Sequence, residues 1–338
     1  MCLAQPKENS RHGVVSELAA WLHRSSWEVE IVASNERDTG WALATGAEPQ
    51  VLGMAYRLRR LAPWLVHTFE PNDAEAAGAI GAPYVLSLAS VPRSANLSFQ
   101  PLVHRRFEAA LGSARRVVCS SRVAAAQLSE IFGRSSVVVP DGVDTHSLGR
   151  IPPHRSRPLI VCRSDWIAES EHTMLARAFI AAADAVPDLA LAVVGHMEVA
   201  LYTKLLQAVP QTLRARVLVL DNADRRRWLS LYARASATCV PTASLAQNRS
   251  LVESMAVGTP VVCADGGSAA EVVDEDAVAS GAGMRFATGD ADDCARCLVE
   301  LVGRAGAGTA DACRSRASLY DWSFVGPRLV ELYKQAVG

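Results

Sequence analysis

A chain of 338 residues, half of them hydrophobic and a fifth charged, is long enough for two domains, each with its own core. Its 34 basic and 35 acidic residues leave a net charge of −1, so no global field draws it to nucleic acid or to an anionic membrane. No apolar run approaches the ~18–20 residues that a membrane span needs, and Met1–Lys7 lacks the apolar core of a secretory signal.

Apolar runs alternate with helical stretches along the chain. A helix is predicted over Val14–His23, then strands at Glu28–Ala33, Trp64–His67, Tyr84–Leu88, Arg116–Ser120 and Ser136–Pro140. Arg150–Pro158, rich in proline and charge without periodicity, reads as a linker. The alternation restarts with strands at Leu159–Cys162, Leu189–Val194, Val217–Leu220, Ala237–Val240 and Val261–Cys263. Strands that alternate with helices imply parallel sheets covered on both faces. The expected architecture is α/β, with two doubly wound halves over 1–150 and 151–318. Ligands of such folds bind beyond the carboxyl ends of the strands, so the cleft between the halves is the expected site.

Several features are assigned to structure. Most of the clusters Arg57–Arg60, Arg105-Arg106 and Arg225–Arg227 read as solvated helix faces, with one facing an anionic membrane or ligand as the minority reading. The eight cysteines sit in apolar settings, as reduced thiols of a cytoplasmic protein do. Cys294 and Cys297 fall in a helical segment with no second pair at zinc spacing, and read as packing, with a metal or redox role as the minor alternative. Gly303–Gly308 looks like a loop. No strand–GxGxxG–helix unit and no GxxxxGK[ST] is present, which disfavours a dinucleotide dehydrogenase or a P-loop NTPase.

The stretch SLVESMAVGTPVVCADGG, Ser250–Gly267, has two readings. In the first, Ser250 and Glu253 form a capping box, Gly258 turns the chain left-handed and Pro260 prevents the helix continuing. In the second, N–H groups over Asn248, Arg249, Ser250, Leu251 and Val252 form an anion site at the helix N-terminus. Beside it Glu253 would repel a phosphate but suit a ribose diol, accepting two hydrogen bonds. Phosphate on N–H groups and ribose on a glutamate together describe a nucleotide.

SLVESMAVGTPVVCADGGSAAEVV resembles the donor-site signature of retaining glycosyltransferases of the GT-B fold, in the large GT4 group. VVVPDGVDTHSL resembles that group's end of the first domain, and the segment from Val161 to Gly195 the start of its second. GDADDCARCL resembles its late loop and helix, RHGVVSELAAWL its glycine turn and first helix, and YDWSFVGPRLVELYKQAV its closing helix. The resemblance covers nearly the whole chain. It implies two Rossmann-like domains facing a cleft, the first binding the acceptor and the second the nucleotide sugar, with 319–338 crossing back to the first domain. It implies transfer of a hexosyl-type sugar from a nucleoside-diphosphate sugar (UDP or GDP) to a small-molecule acceptor, with retention and without a metal or other cofactor. Asp290–Asp293 is therefore given no metal role; acidic residues are expected at a helix start.

The site that the resemblance implies can be followed residue by residue. Arg163 matches the arginine after the second domain's first strand and is a candidate catalytic contact to the diphosphate. The lysine expected a few residues later is absent, and Glu169, Ser170 and Glu171 occupy that region, which must turn away from phosphate. Leu245 stands where the signature has its first glutamate, so sugar recognition shifts to Asn248, Arg249 or backbone N–H groups. Arg249 either supplies the missing lysine's charge or faces solvent beside the helix cap. Ala89 or Ser90 replaces a first-domain histidine, while His67 matches a family position and is read as a structural hydrogen-bonder. His12 and Gly13 lie in the loop that reaches donor phosphates or acceptor; Gly13 allows close approach and His12 is a candidate acceptor contact. The acceptor would be set by the loops Asn35–Glu48 and Val91–Phe99. The expected function is a glycosyltransferase, with specialised-metabolite biosynthesis as its context and a homodimer allowed. The alternative is a catalytically inactive GT-B protein that binds a nucleotide sugar or serves as a partner subunit.

Overall fold

The computed structural model describes residues 1–5, 12–33, 49–92, 101–163, 169–195, 199–221, 224–244, 249–304 and 306–338. The described residues form two compact units: those of Met1–Val143 with Trp322–Gly338, and those of Asp144–Ser244 with 249–321. Each is built on a six-stranded parallel sheet.

In the first unit the strands are β1 (Cys2–Gln5), β2 (Glu30–Ala33), β3 (Val66–Thr68), β4 (Tyr84–Leu88), β5 (Arg116–Cys119) and β6 (Val137–Val138), in the order β2-β1-β3-β4-β5-β6. The sequence reading does not contain β1, yet it lies between β2 and β3 in register, with Leu3 opposite Ile31 and His67. Its side chains Cys2, Leu3 and Ala4 are buried. Four residues at the chain start are too few to show a period, and an all-buried strand has no alternation to show.

Helices cover both faces. The helix His12–Arg24 places Val14, Val15, Leu18 and Leu22 on one face, at helical spacing. Val51, Met54 and Leu58 of Pro49–Leu61 pack on the other, with Phe107 and Leu111 of Pro101–Ser113. The C-terminal helix Trp322–Val337 belongs to this unit, burying Trp322, Leu329, Leu332 and Tyr333. Each such side chain contributes roughly 1.5–3 kcal/mol. Two glycines make room for rings at this helix: a Cβ at Gly142 would stand 2.4 Å from its Trp322, and one at its Gly326 would stand 2.4 Å from Trp21 of His12–Arg24. His67 is buried, with ring nitrogens 2.7 Å from Tyr333 Oη and 2.7 Å from Ser87 Oγ, so its polar groups are satisfied within the fold.

The second unit holds β7 (Leu159–Arg163), β8 (Ala190–Val194), β9 (Val217–Leu220), β10 (Ala237–Val240), β11 (Val261–Ala264) and β12 (Gly283–Phe286), in the order β12-β11-β10-β7-β8-β9. β12 is the second strand missing from the sequence reading; it opens on Gly283, where a Cβ would meet Val273 at 2.7 Å and the Val261 carbonyl at 2.8 Å. One core face joins Ile160, Leu191, Cys239 and Val262 to Leu175 and Phe179 of the helix Glu169–Ala185 and to Leu298 and Leu301 of Ala291–Arg304. All eight cysteines are free and buried. Cys294 and Cys297 lie in Ala291–Arg304, and Cys294 Sγ is 3.9 Å from Cys239 Sγ within that core. Burial pushes the Cys297 thiol up to about 11, and the Cys263 and Cys313 thiols up to about 12.

Several local expectations are corrected. Gly303 and Arg304 end one helix and Gly306 caps the next, Ala307–Ser318, so most of the presumed loop is helix end and helix start. Glu169, Ser170 and Glu171 open Glu169–Ala185 rather than forming a loop. His12 and Gly13 open His12–Arg24 rather than lying in the turn before it. The presumed linker is bonded into the second unit: the His154 N–H donates to Ala233 O at 2.8 Å, and Arg155 donates to Ala235 O at 3.0 Å and Gly258 O at 2.7 Å.

Candidate functional site

Adjacent parallel strands end side by side at the carboxyl edge of the second sheet. β7 ends on Arg163, β10 leads toward the helix Arg249–Ala256, and β11 leads through Asp265-Gly266 into the helix Gly267–Val272. In parallel α/β sheets this edge is where ligands bind.

Arg249–Ala256 is anchored along its length. Leu251, Val252, Met255 and Ala256 are buried, and Ser254 Oγ lies 2.6 Å from Thr238 Oγ1 of β10. The helix stops as the sequence dictates: Gly258 has φ +87°, its N–H donates to Met255 O at 2.9 Å, and that of Thr259 to Ser254 O at 3.0 Å. This pair of bonds is a Schellman ending. At the other end the first backbone N–H groups have no acceptor one turn back in the helix, which favours an anion there. The capping box does not form. Ser250 is already the second helical residue, so it cannot serve as the cap, and the Glu253 carboxylate faces two arginines instead.

Glu253 is 2% exposed. Its Oε1 accepts from Arg225 Nη2 at 2.9 Å and from Arg249 Nε at 3.0 Å. Its Oε2 is buried with no hydrogen-bond partner. Burial by itself would raise the carboxyl, but the guanidiniums of Arg249 and Arg225 outweigh it and hold it below the usual glutamate value. The group is therefore ionised at neutral pH, with one oxygen saturated and the other unsatisfied. Arg249 is 12% exposed and turned onto Glu253, so it does not face solvent.

Arg225 opens the helix Arg225–Arg234, capped by Asp224, which accepts from the Arg227 N–H at 2.8 Å. One turn on, Trp228 lies under Arg163, whose Cζ is 4.1 Å from the ring centroid. Such a cation–π contact contributes ~0.5–2 kcal/mol and fixes the plane of the guanidinium. Three guanidiniums are thus tied to one carboxylate and one indole. The cluster places these guanidiniums beside a helix N-terminus, together with one unfilled hydrogen-bond acceptor.

Of the expected site residues, Arg163, Arg249, Ser250, Leu251, Val252 and Glu253 come together at this edge of the second unit. Ser250, Leu251 and Val252 have buried side chains, so backbone N–H groups are what they offer a ligand. Asn248 and Leu245 lie outside the described residues, as do the side chain of His12 and most of both expected acceptor loops. His12 and Gly13 belong to the first unit. Arg225 and Trp228 were missed. Their signal was phase: Arg225, Trp228, Leu229 and Tyr232 share one helical face, while Arg226 and Arg227 are exposed. The solvated reading of the arginine run holds for the last two and fails for the first.

Gly267 fixes the neighbouring turn. Its φ is +61°, and a Cβ there would stand 2.2 Å from Ser244 O and 2.6 Å from Ala243 O. Ser268 N–H donates to that same Ser244 carbonyl at 2.9 Å. Gly267→Ala should cost roughly 2–4 kcal/mol, from left-handed backbone strain plus a backbone clash. Urea denaturation measures it; a loss below about 0.5 kcal/mol would contradict the close approach.

Residues 157–304 match the family model described as glycosyl transferases group 1. Over 131 residues the chain is 31% identical to the D-inositol 3-phosphate glycosyltransferase of Mycobacteroides abscessus, a match covering 38% of this chain and 28% of that protein's length. The sucrose-phosphate synthase of Thermosynechococcus elongatus superposes with a TM-score of 0.75 at 14% identity, over 99% of this chain and 98% of that one. A glycosyltransferase from Rickettsia africae gives 0.72 at 15% identity, over 99% and 98%. Anabaena HepE, solved in complex with UDP, gives 0.71 at 16% identity, over 98% and 99%. The fold of this chain is the two-domain α/β layout of these glycosyltransferase structures.

Proposed function

We propose that the chain is a glycosyltransferase that moves a sugar from a nucleoside-diphosphate sugar to a small-molecule acceptor, with retention and without a metal. The observation that carries this reading is the buried, ionised Glu253, in the second turn of Arg249–Ala256, with its unpartnered Oε2. A buried carboxylate oxygen left without a donor is costly, and a ribose hydroxyl would satisfy it. The Arg163 guanidinium and the helix N–H groups would take the diphosphate. The matched domain and the UDP complex of the Anabaena neighbour support the same ligand class.

In the proposed reaction the bond between the sugar's anomeric carbon and the diphosphate oxygen breaks, and the acceptor's nucleophilic atom bonds to that carbon on the same face. The acceptor's proton passes to the departing diphosphate. Negative charge grows on the leaving group as the bond lengthens, and Arg163 with the N–H groups of Arg249–Val252 stabilises it where it develops. Trp228 holds Arg163 in place beforehand, which lowers the cost of reorganisation during the step.

Binding is tested with UDP, GDP and ADP by thermal denaturation. A ligand at a hundred times its Kd stabilises by ~2.7 kcal/mol, which should raise Tm by a few degrees for the cognate nucleotide. No shift with any of the three would contradict the reading. One observation favours a second reading, a non-catalytic nucleotide-sugar binder: Arg249, the candidate replacement for the missing lysine, already spends its Nε on Glu253. Nucleotide binding without hydrolysis or transfer of UDP-glucose or GDP-mannose across an acceptor panel would select it.

A further inference from the structure

We propose that Arg225 is a positioning residue: with Arg249 it fills Oε1 of Glu253, leaving Oε2 as the single oxygen that accepts a hydroxyl from the donor's ribose. The inference rests on the donor-site reading above and adds to it a residue and a mode of contact.

An ionised carboxylate has about four acceptor sites on two oxygens, and bridging a cis diol in bidentate fashion uses one oxygen for each hydroxyl. Here that mode is closed. Oε1 already accepts two guanidinium N–H groups, at 2.9 and 3.0 Å, both charge-assisted and both converging on one oxygen. Oε2 is buried and without a partner.

The two arginines are not equivalent. Arg249 reaches Glu253 from one turn back on the same helix and is 12% exposed; Arg225 reaches it from a different helix with a side chain 39% exposed. The Arg225 contact thus ties Arg249–Ala256 to Arg225–Arg234, the helix whose Trp228 carries Arg163. Other charged groups on the elements packed around Glu253 are engaged elsewhere. Arg314 pairs with Asp311, Arg316 with Asp274, and His146 contacts Arg150. Arg226, Arg227 and Arg234 are exposed, and Glu271 lies on Gly267–Val272. Arg249 and Arg225 are the charges that act on the Glu253 carboxyl.

Removing Arg225 therefore leaves a buried carboxylate with one guanidinium, and burial then pushes its titration upward. The test compares wild type, Arg225→Gln, Arg225→Lys, Glu253→Gln and the double variant Arg225→Gln/Glu253→Gln. The probe is UDP-glucose, whose diphosphate does not titrate near neutrality, with GDP-mannose as the alternative donor. Calorimetry at pH 8 and pH 6 should show Arg225→Gln weaker by about tenfold at pH 8 and weaker still at pH 6. Arg225→Lys should recover most of the pH profile. In the Glu253→Gln background the loss of Arg225 should add less than about twofold, because the effect runs through the carboxylate. Carbon-13 NMR of the Glu253 carboxyl in the ligand-free chain should show it titrating at higher pH in Arg225→Gln than in wild type. A Glu253 that titrates identically in the two chains overturns the positioning role, whatever binds. A wild type that binds neither donor overturns the donor-site reading instead, and the NMR arm still decides the role of Arg225.

Discussion

Glu253→Gln is expected to weaken nucleoside diphosphate binding by roughly ten- to a hundredfold. The substitution keeps the shape of the side chain but removes its charge, and a hydrogen bond to a charged group contributes ~1.5–3 kcal/mol. The amide also presents an N–H₂ group to one of two places, the guanidiniums or the ribose hydroxyl, and neither suits it as well as a carboxylate oxygen. The effect has a pH signature. The Glu253 carboxyl is held below its ordinary value, so its stabilising contribution is present above that ordinary value and is lost as pH falls through the lowered one. Wild type should therefore hold UDP-glucose equally well from pH 8 to about pH 6, while Glu253→Gln is weak throughout. Calorimetry on both chains, with circular dichroism to show that both are folded, measures it. Equal affinities would remove the carboxylate from the site.

Asp73→Asn should stabilise the chain at pH 8 by about 4 kcal/mol, taking ~1.36 kcal/mol for each unit of displacement. Asp73 is the third residue of the helix Pro71–Ala79 in the first unit, 5% exposed, and its Oδ2 has no hydrogen-bond partner. Burial, and then the charge of Glu70, push its carboxyl up to about 7. A carboxyl raised on folding favours the folded state fully below its ordinary value near pH 4, and that contribution is lost as pH rises through about 7. The asparagine does not titrate. Urea denaturation curves for the two chains should converge near pH 4 and separate steadily up to pH 8. Curves that stay parallel over this range would show that Asp73 is not buried as described.

The legible parts of the sequence were those where a local pattern carries the physics. β4, β9 and β10 were read to the residue, because runs such as Val217–Leu220 are bounded by polar residues on both sides. The helix end at Gly258 was legible because a left-handed turn followed by proline has one meaning. β1 and β12 were not, because one sits at the chain start without flanking punctuation and the other begins on a glycine demanded by Val273 and Val261. At the site, Glu253 and Arg163 could be named from the signature and its spacing. The partners of Glu253 could not. Arg225 is 28 residues away in sequence and reaches it through tertiary packing, and its neighbours Arg226 and Arg227 gave the run the look of a solvated face. The capping box failed for a related reason: the motif Ser250-Leu251-Val252-Glu253 fits, but the helix begins two residues too early for Ser250 to cap it.

The central claim is that a nucleoside diphosphate sits on the edge formed by β7, β10 and β11, with its ribose on Glu253. A crystal structure of the chain with UDP tests it most directly. The account predicts a ribose hydroxyl within hydrogen-bonding distance of Glu253 Oε2, the Arg225 and Arg249 contacts to Oε1 kept, and phosphate oxygens at the first N–H groups of Arg249–Ala256 and at Arg163. UDP bound with its ribose away from residue 253, or with its phosphates on neither the helix start nor Arg163, would contradict it.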